Sequence, residues 1–312
     1  MKLSLVVSTL GRSAELGRLF DSLDAQTFRD FEVLVVDQND DDRLAWIAEE
    51  TRTFQLSRLH TPGQRGLSRG RNVGWRHCEG DFVLFPDDDC WYPPGLFAAA
   101  VAQIEARRLD LLAGRAADAN GRNINGRFRA TEQPITRGSV WSTQIEWMMF
   151  FRRRALELVG GYDEDLGIGS SSPWQSAEGQ DISFRAMGLG LRCHYDPALV
   201  GHHAEMLLDR PDPATIHKGR IYARGMGFVL GRYGFGWPYI TYWLARTIFN
   251  GLRAVLAGNS ARVAYFIDQG RGRLEGWRAG LAERRAVGRR GAAAGSPAGS
   301  PTPSPVASGT AP

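Results

Sequence analysis

Lysine is almost missing from this 312-residue chain. Lys2 and Lys218 are the only two, so arginine supplies the rest of the 38 basic residues. Set against 34 acidic residues, this leaves a formal net charge of +4, which does not point to a nucleic-acid partner. Cysteine is scarce as well. Cys78, Cys90 and Cys193 are too few and too scattered for a disulfide framework or a zinc knuckle, so a reducing, cytoplasmic setting is expected. The N-terminal apolar run Leu3–Val7 is too short for a signal peptide. The most apolar stretch, Trp237–Leu256, contains Arg246 and Arg253. Burying each near a bilayer centre costs roughly 2.5–3.5 kcal/mol, so an interfacial amphipathic helix or a buried helical pair is expected there. Neither G-x-G-x-x-G nor G-x-x-x-x-G-K-[ST] occurs, which removes the dinucleotide fingerprint and the P-loop.

What is present alternates between strand and helix signals. Leu3–Ser8, Phe31–Val36 and Asp81–Phe85 are apolar, β-branched runs, with a weaker strand near Phe54–Leu59. Leu16, Leu19, Phe20 and Leu23 recur at helical spacing, with Ser13 placed to cap that helix. Further helices are expected over Arg43–Thr51, Ser68–His77, Gly95–Arg108 and Asp181–Leu189. This alternation predicts an α/β fold with a single, mostly parallel sheet flanked by helices. The segment Gly114–Arg137 reads as a loop or edge hairpin and Gly160–Gln180 as a long mobile segment. Residues 216–288 read as a helical extension and 289–312, rich in Ala, Gly, Ser and Pro, as a disordered tail.

Ligands of such sheets lie beyond the carboxyl ends of the strands, where the polar clusters of this chain fall. Asp87-Asp88-Asp89 follows a buried strand, and bunched carboxylates repel one another unless a cation or donors compensate them. A divalent ion such as Mg²⁺ or Mn²⁺ is the favoured reading; a turn and helix cap is the alternative. Asp37 and Gln38 end the second strand, where a ribose or base is commonly held, while Asp40 to Asp42 read as helix caps. Arg65, Arg69 and Arg71 can meet phosphates. Glu178 and Asp181 open a helix, where a carboxylate can serve as general base or simply stabilise the helix dipole. His202-His203 is either a structural pair or a source of a metal ligand. Trp174 and Trp147 can stack a sugar ring or belong to the core.

The chain resembles glycosyltransferase family 2, with the GT-A fold, over about residues 2 to 205. LSLVVSTLGR resembles the first strand and nucleotide loop, and AQTFRDFEVLVVDQND the segment supplying a base-binding Asp, here Asp37. GLSRGRNVG resembles the family's Ala-Arg-Asn-x-Gly helix with Gly70 in place of Ala, and GDFVLFPDDDCWYPP the D-x-D region. GGYDEDLGIG followed by EGQD resembles the acceptor loop and the Glu-Asp pair. Gln38 and Gln180 depart from the acidic residues usual at their places.

The resemblance implies inverting transfer of a sugar from a nucleotide diphosphate, with UDP favoured, to a glycan, glycolipid or other hydroxyl acceptor. It implies Asp181 as catalytic base, and Asp89 with Asp87 as ligands of Mg²⁺ or Mn²⁺. Ser8, Thr9, Arg12, Asp37, Gln38, Arg65, Arg71, Asp87 and Asp88 would contact the nucleotide-sugar, and Trp174 and Glu178 the acceptor. Residues 1–215 would form the catalytic domain, split near 110 into nucleotide-sugar and acceptor halves. The extension would touch the inner face of the membrane peripherally. A nucleotidyltransferase is the alternative, but STLGRSAEL lacks the glycine- and lysine-rich signature usual for that class. A non-catalytic sugar-nucleotide-binding module is expected to lose the acidic triplet or Asp181, and both are present.

Overall fold

Three apolar runs and a fourth, more polar strand at the edge build the first half of the sheet. In the computed structural model, which describes residues 1–294, these are β1 (Leu3–Thr9), β2 (Phe31–Asp37), β3 (Gln55–His60) and β4 (Phe82–Leu84). They lie parallel in the order β3-β2-β1-β4. Every residue of β1 and β2 is buried, as expected of strands covered on both faces. Helix α1 (Glu15–Asp24) buries Leu16, Leu19, Phe20 and Leu23 in a core shared with Leu5, Val7, Val33 and Val35. On the opposite face α2 (Leu67–His77) lies so close to the sheet that a Cβ at Gly74 would overlap Val6 and Val36.

The second half mixes strand directions. After β5 (Cys90–Trp91) and α3 (Leu96–Arg107) come β6 (Leu111–Ala116), β7 (Gln133–Pro134) and β8 (Met149–Arg152). Then follow α4 (Arg153–Val159), α5 (Glu178–Gly188) and β9 (Cys193–His203). The sheet continues β4-β8-β6-β9-β5, with β7 also on β9. β6 and β9 pair in parallel, whereas β8, β5 and β7 enter antiparallel. The eleven-residue β9 sets His202 and His203 opposite Trp91 and Cys90, beside the acidic triplet.

Several local expectations are corrected. Ser13 does not cap α1; its N-cap is Ala14, and Ser13 Oγ accepts from Trp46 Nε1 at 3.2 Å. The helix expected over Arg43–Thr51 shrinks to a 3-10 turn, Ala45–Ala48, and beyond it Asp24 accepts from the Thr53 backbone N–H and hydroxyl. Asp40 and Asp41 are not helix caps: they accept from Gly63 and Arg65, and from Arg43. The Gly160–Gln180 segment is pinned to α2 through Ser68 Oγ to Leu166 O (2.6 Å) and through Asn72, which bonds both the amide and the carbonyl of Tyr162.

The extension is three helices, α6 (Pro213–Arg232), α7 (Trp237–Leu256) and α8 (Ser260–Ala294). It starts at Pro213, before the expected 216, because Asp212 caps α6 by accepting from Thr215 N at 2.7 Å. Helix α8 runs on through Ala294, so the tail expected from 289 does not begin there; residues 295–312 lie outside the described residues. Among the described residues no helix is long and apolar enough to cross a membrane.

Helices α6 and α8 meet backbone to backbone. A Cβ at Gly227 or Gly231 would overlap α8 main chain, and one at Gly272, Gly276 or Gly280 would overlap α6 main chain. Main-chain atoms cannot swing aside as a side chain can, so Gly276→Ala forces the helices apart. It is expected to cost about 1–3 kcal/mol in urea unfolding. A loss below about 0.5 kcal/mol would contradict this contact.

Candidate active site

The turn after β4 divides the acidic triplet between two jobs. Asp88 points inward, accepting from Thr9 Oγ1 at 2.6 Å and Arg12 Nη1 at 2.7 Å. Burial, together with neighbouring Asp89 and Asp87, raises its carboxyl above the usual range despite those two partners. Asp87 and Asp89 point outward. Asp89 meets His203 Nε2 at 2.7 Å and also pairs with Arg12. Burial alone would push Asp89 up, but His203 and Arg12 hold it at about 2. His203 in turn is raised, since its bond to Asp89 outweighs the burial that disfavours its charge.

One ligand atom each from Asp87, Asp89 and His203 lies within 4.8 Å of the others. Two carboxylate oxygens and an imidazole nitrogen form a donor set suited to Mn²⁺ or a comparable divalent ion. The residues therefore fit the expected metal, and β9 supplies a third candidate ligand.

Beneath Asp87 lies a buried charge network. The Arg71 guanidinium, about 1% exposed, donates to Asp87 at 3.2 Å and Glu178 at 3.1 Å, and lies 5.2 Å from the centre of the Tyr162 ring. It is thus an internal bridge and not an open phosphate ligand, which corrects the expectation for Arg71. Glu146 completes the network. Burial and the charge of Glu178 push its carboxyl up to about 7, against the pull of Arg71.

Other expected residues are placed differently. Asp37 ends β2 as expected, but it is fully buried, held by Arg58 Nε at 2.8 Å and by Asn39. Gln38 faces inward too, donating to the carbonyls of Gln64 and Gly66 and so tying the loop before α2 to the end of β2. A carboxylate could not donate these bonds, which accounts for the amide at that place. Ser8 lies against Gln38 and under Gly70, where a Cβ would overlap its hydroxyl. Arg65 pairs with Asp40 at the surface and Arg69 with Glu164, so neither joins the triplet. Trp174 stacks on Phe228 with centroids 4.3 Å apart, which occupies one face of the ring against α6. Trp147 is core, stacked on His203.

Asp181 is not brought into the Arg71 network. It is about 1% exposed, with its oxygens taken by Arg185 Nε (2.9 Å), Arg232 Nη1 (3.1 Å) and Tyr233 OH (2.9 Å). Arg232 continues to Asp163 and Glu283, so Asp181 joins α5 to α6 and α8. Sequence pattern alone did not single out Glu146, because a lone acidic residue in an aromatic stretch carries no motif.

The sheet, with a carboxylate and imidazole cluster at the ends of β4 and β9, is of the GT-A type. A family model described as "Glycosyl transferase family 2" matches residues 4–160. The chain belongs to glycosyltransferase family 2. Among curated relatives, an uncharacterized glycosyltransferase of Haemophilus influenzae is 37% identical over 92 residues, 29% of this chain and 31% of that protein. The poly(ribitol-phosphate) beta-N-acetylglucosaminyltransferase TarS of Staphylococcus aureus is 32% identical over 142 residues, 44% of this chain and 25% of TarS. The chain thus spans about a quarter to a third of these relatives' lengths. The solved structure of S. aureus TarS 1-349 in complex with UDP superposes with a TM-score of 0.52 at 22% identity, covering 90% of this chain and 92% of that one. A mannosyltransferase of Pyrobaculum calidifontis, in complex with GDP-Man and Mn2+, gives 0.53 at 18% identity, covering 94% and 76%. At these identities the likeness is one of fold.

Removing the buried Asp181 carboxylate takes from Arg185 its carboxylate partner and from Arg232 one of three, and breaks the link from α5 to α6. Asp181→Ala is expected to lose about 3–5 kcal/mol of unfolding free energy. A loss under about 1 kcal/mol would show that this junction is not structural.

Proposed function

We propose that the chain transfers a sugar from a nucleotide-diphosphate donor, UDP-sugars favoured, to an acceptor hydroxyl with inversion at the anomeric carbon. The observation that carries the reading is the convergence of Asp87, Asp89 and His203 at the carboxyl end of the parallel strands. The metal-dependent transfer to a surface polysaccharide or glycolipid is supported by the relatives. TarS is named for transfer to a ribitol-phosphate polymer and has been solved with UDP-GlcNAc, and the archaeal neighbour was solved with Mn2+.

In this reading Asp87, Asp89 and His203 hold a Mg²⁺ or Mn²⁺ ion. Bound there, the ion supplies Lewis-acid stabilisation of the leaving diphosphate. Asp88 holds Thr9 and Arg12 in place, and Arg12, with 40% of its side chain exposed, faces the donor from the rim. Arg71 orients Asp87 from below. Asp89→Ala is expected to weaken Mn²⁺ binding, measured by titration calorimetry, by about 10–100-fold or more and to abolish turnover of UDP-sugars. Unchanged Mn²⁺ affinity would contradict the ligand set.

A second feature supports a working place at the cytoplasmic face of a membrane. Helix α7 exposes Tyr242, Ile248, Phe249, Leu252, Val255 and Leu256 at helical spacing, with Arg246 and Arg253 and no acidic residue. Such a face suits the interface of an anionic bilayer. Phe249→Glu is expected to reduce sedimentation with phosphatidylglycerol vesicles. Wild-type protein that stays in the supernatant would sink the membrane reading.

A further inference from the structure

The N-terminus of α5 carries a glycine where a side chain would project toward the charge network, and another residue fills that space. A Cβ at Gly179 would lie 2.6 Å from Glu146 Cγ and 2.7 Å from Glu146 Oε1. Glu146 opens a 3-10 turn, Glu146–Met148, that is fixed from several sides. Trp147 stacks on His203 with centroids 5.7 Å apart, and its carbonyl accepts from Tyr92 OH at 2.8 Å. A Cβ at Gly201 would overlap Trp147 and Met148, so β9 lies directly against the turn.

The carboxyl held this way is uncommitted. Arg71 donates to Glu178 and Asp87, whereas Glu146 receives no hydrogen bond or ion pair from another side chain among the described residues. It is also only partly buried, unlike Asp181, whose oxygens are enclosed by two arginines and a tyrosine. Glu178, Asp87 and Arg71 face it from α5, the β4 turn and α2, with Tyr162 and Tyr222 also near. Burial and the charge of Glu178 raise this carboxyl, and with no side-chain partner of its own it is available to accept a proton, as a general base must be.

We propose that Glu146 is the general base that accepts the proton of the acceptor hydroxyl. The assignment rests on the transferase reading above. The acceptor oxygen forms a bond to the anomeric carbon. The bond from that carbon to the donor phosphate oxygen breaks, its electron pair leaving on the nucleoside diphosphate. The hydroxyl proton ends on a Glu146 carboxylate oxygen.

The test uses the full chain with Mn²⁺ and a panel of UDP-glucose, UDP-N-acetylglucosamine and GDP-mannose, with water or added sugars as hydroxyl acceptors and azide as an acceptor that has no proton to lose. Glu146→Gln keeps the shape and removes the base. Its kcat toward hydroxyl acceptors is expected to fall about 100-fold or more, while UDP affinity and glycosyl azide formation stay within about threefold of wild type. Glu146→Asp, which keeps a carboxylate, is expected to fall between the two. Hydroxyl transfer by Glu146→Gln within about threefold of wild type overturns the proposal, as does equal loss of azide and hydroxyl transfer. Wild-type protein that turns over no donor of the panel overturns the transferase reading and the role of Glu146 with it, a failure distinct from the other two.

Discussion

The buried guanidinium of Arg71 is the interaction on which the site depends. Asp87, Asp88, Asp89, Glu146 and Glu178 gather at the end of the central strands, a concentration of negative charge that no fold tolerates uncompensated. Arg71 answers it from below by bridging Asp87 to Glu178, while Arg12 and His203 answer it from the rim. The fork geometry of arginine lets one side chain serve two carboxylates at once, which a lysine ammonium does less well. Both oxygens of Asp89 meet Arg12 and His203, and one oxygen of Asp87 meets Arg71, so these cationic groups compensate the carboxylates at the place a cation would occupy.

The rest of the architecture holds that bridge in place. Gly74 and Gly70 let α2 lie on the sheet closely enough to bring Arg71 under the triplet, and Asn72 ties the same helix to the Tyr162 backbone. Helix α5 supplies Glu178 on one side and Asp181 on another, and Asp181 anchors it to Arg232 of α6. Through Arg232 and Glu283 the anchor reaches α8, which packs on α6 by glycine-to-backbone contact. The extension is therefore a brace for the half of the sheet that carries the acidic cluster. Removing it would leave Asp181 without Arg232.

Much of this was legible in the sequence, and for physical reasons. The buried strands β1, β2 and β4 are short apolar runs closed by polar residues, and α1 has an amphipathic face that no strand would carry. Asp87 and Asp89 stood out because carboxylates crowded after a strand demand compensation. Partners distant along the chain were not legible. Asp37 looked open to a ligand until Arg58, from the adjacent strand, proved to occupy it. Asp181 carried the expected motif, yet Arg185 and Arg232 enclose it. Glu146 carried no motif, and only the packing of a 3-10 turn against Gly179 reveals it.

The central claim is that the ends of β4 and β9 together form one divalent-cation site. Electron spin echo spectroscopy of Mn²⁺ bound with UDP reads this directly, because a coordinating imidazole nitrogen modulates the manganese signal. The account predicts a nitrogen coupling in the wild-type protein that disappears in His203→Ala, with Mn²⁺ still retained by the two carboxylates. Mn²⁺ bound with no nitrogen coupling in the wild-type protein would contradict it.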